Sequence, residues 1–460
     1  MSSTKEGIPL YLFTYNCNKR RINHDLFIPK IVESFPEELS SLYVFGLEEL
    51  CPILDGSFYD VANQHLIKFN EVFLHALLEK YGKKDHRFQT IAIHHIGATG
   101  IIIITPYPSK FHSIKKASSS CGTGHSSLKG AAAVRLTYSP EGRNSTSARS
   151  VELSFANAHL SAYEGEFYFK RRNDNATTLM RSLDFGDGHG LLKPGSHTFF
   201  MGDLNYRTTK NYDSNSIATQ RLLALSDQSN VNNGSVEELV QEYDELTSAI
   251  ENGDIFTGFS EGCVDFQPTY KYHINTAIYN SKRSPSWCDR ILYQATYESD
   301  ERNGEAVLLR LRKDSNSQNK KKRLPLIHAY SSIKSLLQSD HQPVYLSITV
   351  PFNAPKSIVA PNGYLQILPS ETANRHLHHN EIIDEGVLEQ SVLHEIEESV
   401  TGPTQIYMKP TKYDYIIQNY VRTISDFGIG YGLWLTITPK GRLLLLGLLL
   451  AAWAVWKFVL

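Results

Sequence analysis

The chain has 460 residues, enough for one large α/β domain with appendages, and its formal charge of −2 excludes a generally basic nucleic-acid binder. Its five cysteines (Cys17, Cys51, Cys121, Cys263 and Cys288) include no C-x-x-C pair. That argues against a disulfide framework or a paired-thiol zinc site and for a reduced, cytosolic compartment. The opening stretch MSSTKEGIPLYLFTYN holds no apolar run of signal-peptide length.

Taken in chain order, apolar runs ending in polar residues alternate with helical stretches. The first run, LYLFTYN, closes on Asn16. Strands are expected at 41–49, 97–107, 131–138, 150–160, 197–205, 289–293 and 342–350, several of them buried on both faces. Residues 62–80 carry the 3.6-residue apolar rhythm of a helix, as do 217–225 and 236–250. The stretches KKASSSCGTGHSSLKG and SPEGRNSTSARS are expected to be mobile loops, and KKKR at 320–323 an exposed one. There is no internal repeat. The core domain is expected to span 8–352.

Composition then changes. Between Glu371 and Glu398 there are eight acidic side chains and one arginine, so 353–403 is expected to be an acidic flexible linker, with one amphipathic helix near 384–400. Residues 404–442 regain tyrosines and basic residues. From Leu443 the sequence reads LLLLGLLLAAWAVWKFVL, with Lys457 its only charge. As a helix it would be roughly 27 Å long, about the thickness of a thin bilayer. Lys409, Lys412, Arg422, Lys440 and Arg442 precede it, so 443–460 is expected to be a transmembrane tail anchor with the bulk of the chain on the cytosolic side.

The ends of the predicted strands carry the chemistry. Glu49 closes VFGLEE and His159 closes SFANAHL, while Asp203 and Asn205 close FFMGDLN. Side chains at i and i+2 of a strand point the same way, so Asp203 and Asn205 share a face at its exit. Asp340 and His341 stand in SDHQPV, before the last strand. Hard oxygen ligands with imidazoles nearby suit a Mg²⁺-assisted phosphoester hydrolase. Other phosphatase chemistries lack their motifs. No cysteine has Arg at the sixth position after it, no D-x-D or R-H-G occurs, and H-E-x-x-H is absent. Attack by an activated water, helped by a metal, is the reading that remains.

These residues give the chain its resemblance to the inositol polyphosphate 5-phosphatases, within the wider endonuclease/exonuclease/phosphatase superfamily. The likeness rests on PTYKY (268–272), KRSPSWCDRILY (282–293) and SDHQPV (339–344), with GDLNYR (202–207), NAHLSA (157–162) and LKG (128–130). It implies an α/β fold, a four-layer α/β sandwich, followed here by the C-terminal helix. It also implies a Mg²⁺ cofactor, with Glu49 and Asn16 as metal residues. His341 would be the general base, Asp340 a positioning partner, Asp203 the group that orients the attacking water, and Asn205 the holder of the scissile phosphate. His159 would donate to a phosphate oxygen as charge builds. Asp289 and His341 could instead form an orienting hydrogen bond. Tyr270, Lys271, Lys282 and Arg283 resemble contacts to a neighbouring 4-phosphate. Lys129 and Arg207 would lie nearer the scissile group, and Arg290 could be a structural partner of an acid.

Two departures stand out: Glu48 takes the place of the family's usual Gln, and TYN replaces TWN. The implied substrate is phosphatidylinositol 4,5-bisphosphate on the endoplasmic reticulum membrane, acted on by a monomer that binds no nucleic acid. Alternative readings are preference for another phosphoinositide or a soluble inositol polyphosphate, a nuclease or sphingomyelinase of the same superfamily, or a non-catalytic phosphoinositide-binding tether.

Overall fold

The computed structural model describes residues 7–82, 86–142, 149–208, 217–224, 236–297, 324–366 and 406–459. Two six-stranded sheets form the frame. The first runs β11 (Leu326–Ser332), β12 (Val344–Pro351), β1 (Gly7–Asn16), β2 (Leu42–Glu48), β4 (Thr99–Thr105), β3 (Gln89–Ile96). The second runs β5 (Phe111–Ser120), β6 (Gly130–Tyr138), β7 (Val151–His159), β8 (Ser196–Asp203), β10 (Asp289–Gln294), β9 (Phe259–Ser260). Among the described residues only β1–β2 and β7–β8 pair in parallel; each carries its chain direction toward the same kind of polar exit.

Strand alternation divides each run between two cores. Leu10 and Leu12 of β1 and Leu42 and Val44 of β2 pack between the sheets with Phe199 and Met201 of β8. Their neighbours Tyr11, Phe13, Tyr43 and Phe45 face outward, against helices α1 (His24–Ser34) and α3 (Tyr59–Tyr81), the short helix α2 (Ile53–Gly56) lying between these two. Phe200 faces the other way, toward α4 (Glu166–Ser182) and α7 (Glu245–Asn252), with α5 (Ile217–Ala224) and α6 (Val236–Tyr243) between them in the chain. The order helix, sheet, sheet, helix is the expected four-layer sandwich. Double-sided burial explains why these strands read as unbroken apolar runs.

The sheets approach closely near the site. A Cβ at Gly46 would lie 2.1 Å from Asn157 Oδ1, so glycine in β2 makes room for an amide from β7. Asn157 Nδ2 then donates across the interface to the carbonyls of Leu47 (3.2 Å) and Gly100 (3.0 Å).

Four strands escaped the sequence reading: β3, β5, β9 and β11. They are the sheet edges, one at each end of each sheet. The expected loop beginning at Lys115 is corrected here, because residues 115–120 continue β5. Its lysines are tolerated because an edge strand has solvent on one side, its buried Ser119 and Ser120 bond to Ser182 and Gln418, and pairing with the alanines of β6 fixes it.

Beyond the expected core boundary at 352, Ile358 and Val359 are buried with Met408 in the outer core of the second sheet, and Tyr364 bridges to Tyr407. Three further helical elements follow: α8 (Lys412–Ile416), α9 (Arg422–Ile437) joined to it by a π-turn at Ile417–Val421, and α10 (Pro439–Val459). Among the described residues, α10 is the helix long and apolar enough to cross a membrane, and 6% of its apolar window is buried. Residues 143–148, the 320–323 basic run, most of the acidic tether and the candidate helix at 384–400 lie outside the described residues.

Candidate active site

Four strand exits converge at one end of the sandwich. In β1 and β2, Asn16 stands opposite Glu48. In the second sheet His159 stands opposite Asp203, and Asp203 opposite Asp289. The SDH turn is tied to them by Ser339 Oγ, which donates to the Asn16 carbonyl at 2.7 Å. Strand register and this hydrogen bond together bring in groups as much as 323 residues apart.

Asp203 is the hub. Its Oδ2 accepts from Asn16 Nδ2 at 2.8 Å and lies 3.2 Å from His159 Nε2 and 4.0 Å from His341 Nε2. Its Oδ1 accepts from the Asn205 backbone N–H at 3.1 Å. Burial pushes this carboxyl up, but His341, His159 and Lys129 outweigh it and hold the group well below the usual carboxylate range. Asp203 is therefore a permanent anion.

His341 is gripped from the opposite side. Its Nδ1 meets Asp289 Oδ2 at 2.9 Å, and Thr269 Oγ1 donates to the same oxygen at 2.6 Å. The bond left open by the sequence is thus formed. Burial lowers the affinity of His341 for a proton, yet Asp289, Asp203 and Asp340 raise it further, to a pKa of about 9. As the chain stands, the ring is an imidazolium at neutral pH. When it loses a proton, the Asp289 contact retains the one on Nδ1 and leaves the Nε2 lone pair facing Asp203. That is the tautomer a base requires.

Asn205 adopts a left-handed φ of 58°. Arg207 Nη2 donates to its Oδ1, and Arg207 Nε to its carbonyl at 3.1 Å, so the amide Nδ2 is left as the group that can donate outward. At present it reaches the Leu160 carbonyl at 3.2 Å. The Arg207 guanidinium lies 4.6 Å from the Tyr270 ring centroid, and Tyr270 in turn tilts over His341 at 4.6 Å.

Glu49 also has a left-handed φ, 46°, which turns its side chain out of β2 while Glu48 stays inside. Glu49 pairs with Lys19 at 3.1 Å and lines a cavity of about 220 Å³ with Lys129 and His159. Burial raises its pKa, but His159, Lys129 and Lys19 reverse the sign and keep it ionised. Lys129 Nζ touches His159 Nε2. Burial, followed by the Lys129 charge, depresses the pKa of His159, so a neutral ring is favoured there.

Asp340 accepts from Lys271 Nζ at 2.6 Å, linking the catalytic loop to PTYK. Lys282 is exposed and Arg283 half-buried, 4.0 Å from Glu164. No contact joins these two to the Asp203 cluster among the described residues. Arg290 is a buried partner of Asp244 (2.6 Å) and Glu261, and Trp287 and Cys288 are core residues.

A divalent cation fits this donor set. Among the described residues, ligand atoms of Asp203, Asp289 and His341 all lie within 4.8 Å of one another. Two further carboxylate oxygens, Asp289 Oδ1 and Glu48 Oε2, are buried without a hydrogen-bond partner. Unpaired buried oxygens of this kind are costly unless something compensates them. Of the metal residues expected from the sequence, Glu49 lies outside this group of three, and Asn16 touches it through Nδ2 donating to Asp203 at 2.8 Å, its Oδ1 accepting from the Asn18 N–H at 2.9 Å.

The sequence reading noted Glu48 only as a departure and passed over Thr269, Asp426 and Ile429. Glu48 is fully buried with Thr14 Oγ1 donating to it at 3.0 Å, and burial together with Asp289 and Asp203 pushes its pKa well up. Thr269 sets the Asp289 carboxylate. Asp426 and Ile429 of α9 form part of the cavity wall opposite Glu49, with no local motif to reveal them.

Comparison with known proteins agrees with the geometry. Residues 13–347 match the model of Endonuclease/Exonuclease/phosphatase family 2. The chain is 25% identical over 319 residues to synaptojanin-2 of Rattus norvegicus, covering 68% of this chain and 19% of that protein. It is 25% identical over 351 residues to polyphosphatidylinositol phosphatase INP53 of Saccharomyces cerevisiae, covering 75% and 26% respectively. Type IV inositol polyphosphate 5-phosphatase 11 of Arabidopsis thaliana is 28% identical over 239 residues, 49% of this chain and 53% of that one. The matched regions are thus only a fraction of these relatives' lengths. Among solved structures, the inositol polyphosphate 5-phosphatase domain of SPsynaptojanin, in complex with inositol (1,4)-bisphosphate and calcium ion, superposes with a TM-score of 0.55. The identity is 20%, over 86% of this chain and 92% of that one. A Cimex nitrophorin also matches, at 0.50 and 17%, over 75% of this chain and 99% of that one, so the fold alone does not fix the chemistry.

Proposed function

The chain belongs to the Endonuclease/Exonuclease/phosphatase family 2, and within it we propose a Mg²⁺-dependent phosphoinositide 5-phosphatase. The reaction is removal of the 5-phosphate of phosphatidylinositol 4,5-bisphosphate by water, giving phosphatidylinositol 4-phosphate and phosphate. The observation that carries this reading is the buried Asp203–Asp289–His341 cluster beside Asn205 and His159, with Lys271 attached to it through Asp340.

The residues divide the work. Asp203, permanently ionised, orients the attacking water by accepting its hydrogen. His341 is held by Asp289 with Nε2 toward that position, ready to take the proton. Asn205, its Oδ1 fixed by Arg207, presents Nδ2 to the scissile phosphate. His159 and Lys129 donate to a phosphate oxygen from the cavity wall. Glu49, Asn16, Asp203 and Asp289 would supply the oxygen ligands of Mg²⁺, whose charge, when bound, polarises the phosphoryl group and lowers the proton affinity of His341. Lys271, Lys282, Arg283 and Tyr270 make the second cationic site that a bisphosphorylated ring needs. Leaving-group protonation is assigned to no residue.

Helix α10, apolar and almost entirely exposed, supports an anchored enzyme; the membrane proposed for it is the endoplasmic reticulum, with the catalytic domain on the cytosolic face. The test is phosphate release from 4,5-bisphosphate, 3,5-bisphosphate and 3,4,5-trisphosphate lipids and from soluble inositol phosphates, with and without Mg²⁺. Fastest Mg²⁺-dependent turnover of the 4,5-bisphosphate lipid is expected. Equal release from the 3,5-bisphosphate lipid would overturn the role given to Lys271.

A further inference from the structure

The segment from Lys412 to Ile437 has two opposed faces. One is keyed to the catalytic domain beside the active site. Gln418 Oε1 accepts from the Ser120 backbone N–H (2.8 Å) and its Nε2 donates to the Ser120 carbonyl (3.2 Å). Ser425 Oγ donates to the Gly124 carbonyl at 2.6 Å. Asp426 takes both the N–H and the hydroxyl of Ser127, at 2.7 and 2.5 Å. All these contacts fall on the connection that delivers Lys129 to His159.

The other face looks away. At 100° per residue, Tyr413, Ile416, Tyr420, Ile424 and Phe427 form a stripe on the side opposite Gln418, Arg422 and Ile429, while Tyr431 meets the Phe58 ring edge-on at 5.8 Å. These side chains are uncovered: Ile424 is 73% exposed and Phe427 64%. A contiguous aromatic and aliphatic stripe of this size marks an interaction surface. Continuity says what covers it. Only Thr438 separates α9 from α10, so Phe427 lies roughly 15 Å of helix from the start of the apolar span. Lys409, Lys412, Lys440 and Arg442 bracket the stripe with positive charge.

We propose that this stripe lies in the interfacial layer of the bilayer, making α8–α9 a bracket that holds the Lys129 wall of the active site against the lipid surface. Tyrosines and aliphatic side chains on one face with basic residues nearby are what an interfacial helix uses. The inference rests on the reading of α10 as the membrane anchor. It adds to that reading a fixed attitude for the catalytic domain, which a tether alone would leave free.

The test uses the full chain in vesicles of phosphatidylcholine and phosphatidylserine containing phosphatidylinositol 4,5-bisphosphate. An environment-sensitive dye is placed by Ile424→Cys in a Cys263→Ser background, Cys263 being the exposed native thiol. Emission shifted to the blue, quenched by brominated lipid and shielded from iodide, is expected. In parallel, Ile424→Ser with Phe427→Ser should slow turnover of the vesicle lipid about tenfold and leave turnover of soluble inositol 1,4,5-trisphosphate unchanged. Iodide-accessible dye on a chain that resists carbonate extraction overturns the inference alone. Loss of the chain to carbonate overturns the anchor reading and the inference with it. Equal loss on both substrates overturns the bracket, since the variant would then have disturbed the site itself.

Discussion

Asp289→Asn is the most informative single perturbation of the site. His341 binds its proton with a pKa of about 9 although its ring is almost fully buried. Burial acts in the opposite direction, so the carboxylates must more than cancel it, and Asp289, bonded directly at 2.9 Å, is the foremost of them. Relative to a free imidazole near ~6.5 the net gain is about 3 kcal/mol. Asparagine can keep its Oδ1 toward both Thr269 and Nδ1, so the geometry survives while the charge goes. The His341 pKa should then fall by about two units or more, to near or below ~6.5, because burial is no longer outweighed. In the metal-free native chain, the elevated pKa contributes stability that is fully present below ~6.5 and is lost as pH rises through about 9. In the variant that slope should flatten. NMR titration of ¹³C-labelled histidines in metal-free full chain in micelles, with His341→Gln for assignment, reads the pKa directly. Denaturant midpoints across the same pH window read the linkage. A His341 pKa within half a unit of about 9 in Asp289→Asn would refute this account of what charges the ring.

Asp203→Ala and His341→Ala should each abolish Mg²⁺-dependent phosphate release, by about 10³-fold or more, with the fold retained by circular dichroism; activity persisting in both would reject the site. Lys271→Ala frees Asp340 and removes one cation from the second phosphate site. It should raise KM for the bisphosphorylated lipid about tenfold with kcat little changed, and leave a lipid phosphorylated at position 5 alone unaffected. Gly46→Ala drives a Cβ to 2.1 Å from Asn157 Oδ1 and should lower the melting temperature by several degrees, a cost of about 3 kcal/mol or more, unless Asn157 is also shortened.

What could be read in the sequence follows from how many faces each segment buries. Central strands such as β1, β2 and β8 are apolar on both sides and announced themselves. Edge strands carry QTIAIHHI, FHSIKKASSS and LIHAYSS, whose polar residues, some exposed and some buried, blur the period. The site residues were legible because each closes an apolar run with a polar group: Asn16, Glu49, His159, Asp203 and Asn205 all do so. The partnerships were not. The Asp289–His341 bond stood in the sequence only as an alternative, and that Asp203 meets both His159 and Asp289 depends on parallel and antiparallel register between strands whose pairing no local pattern encodes. The wall supplied by Asp426 and Ile429 is the extreme case. About 300 residues separate Asp426 from the Ser127 it grips, and an acid on an otherwise apolar helix looks like an ordinary solvated charge.

The same packing explains why the charges gather here. Asp203, Asp289, Glu48 and Arg207 are each at most 3% exposed, a placement that is costly for any of them alone. Most of the cost is offset by mutual pairing: Asp203 by Asn16 and His159, Asp289 by His341 and Thr269, Glu48 by Thr14. Glu48 and Asp289 each keep one carboxylate oxygen without a donor. A sandwich that needed only stability would fill these strand ends with apolar side chains, as it does a residue or two earlier in β1, β2, β7 and β8. Retaining charge at the one place where both sheets open therefore marks a surface shaped to receive charge of the opposite and the same sign together. A divalent cation on the carboxylates, and a phosphoryl group between that cation and Asn205, His159 and Lys129, satisfy both halves at once.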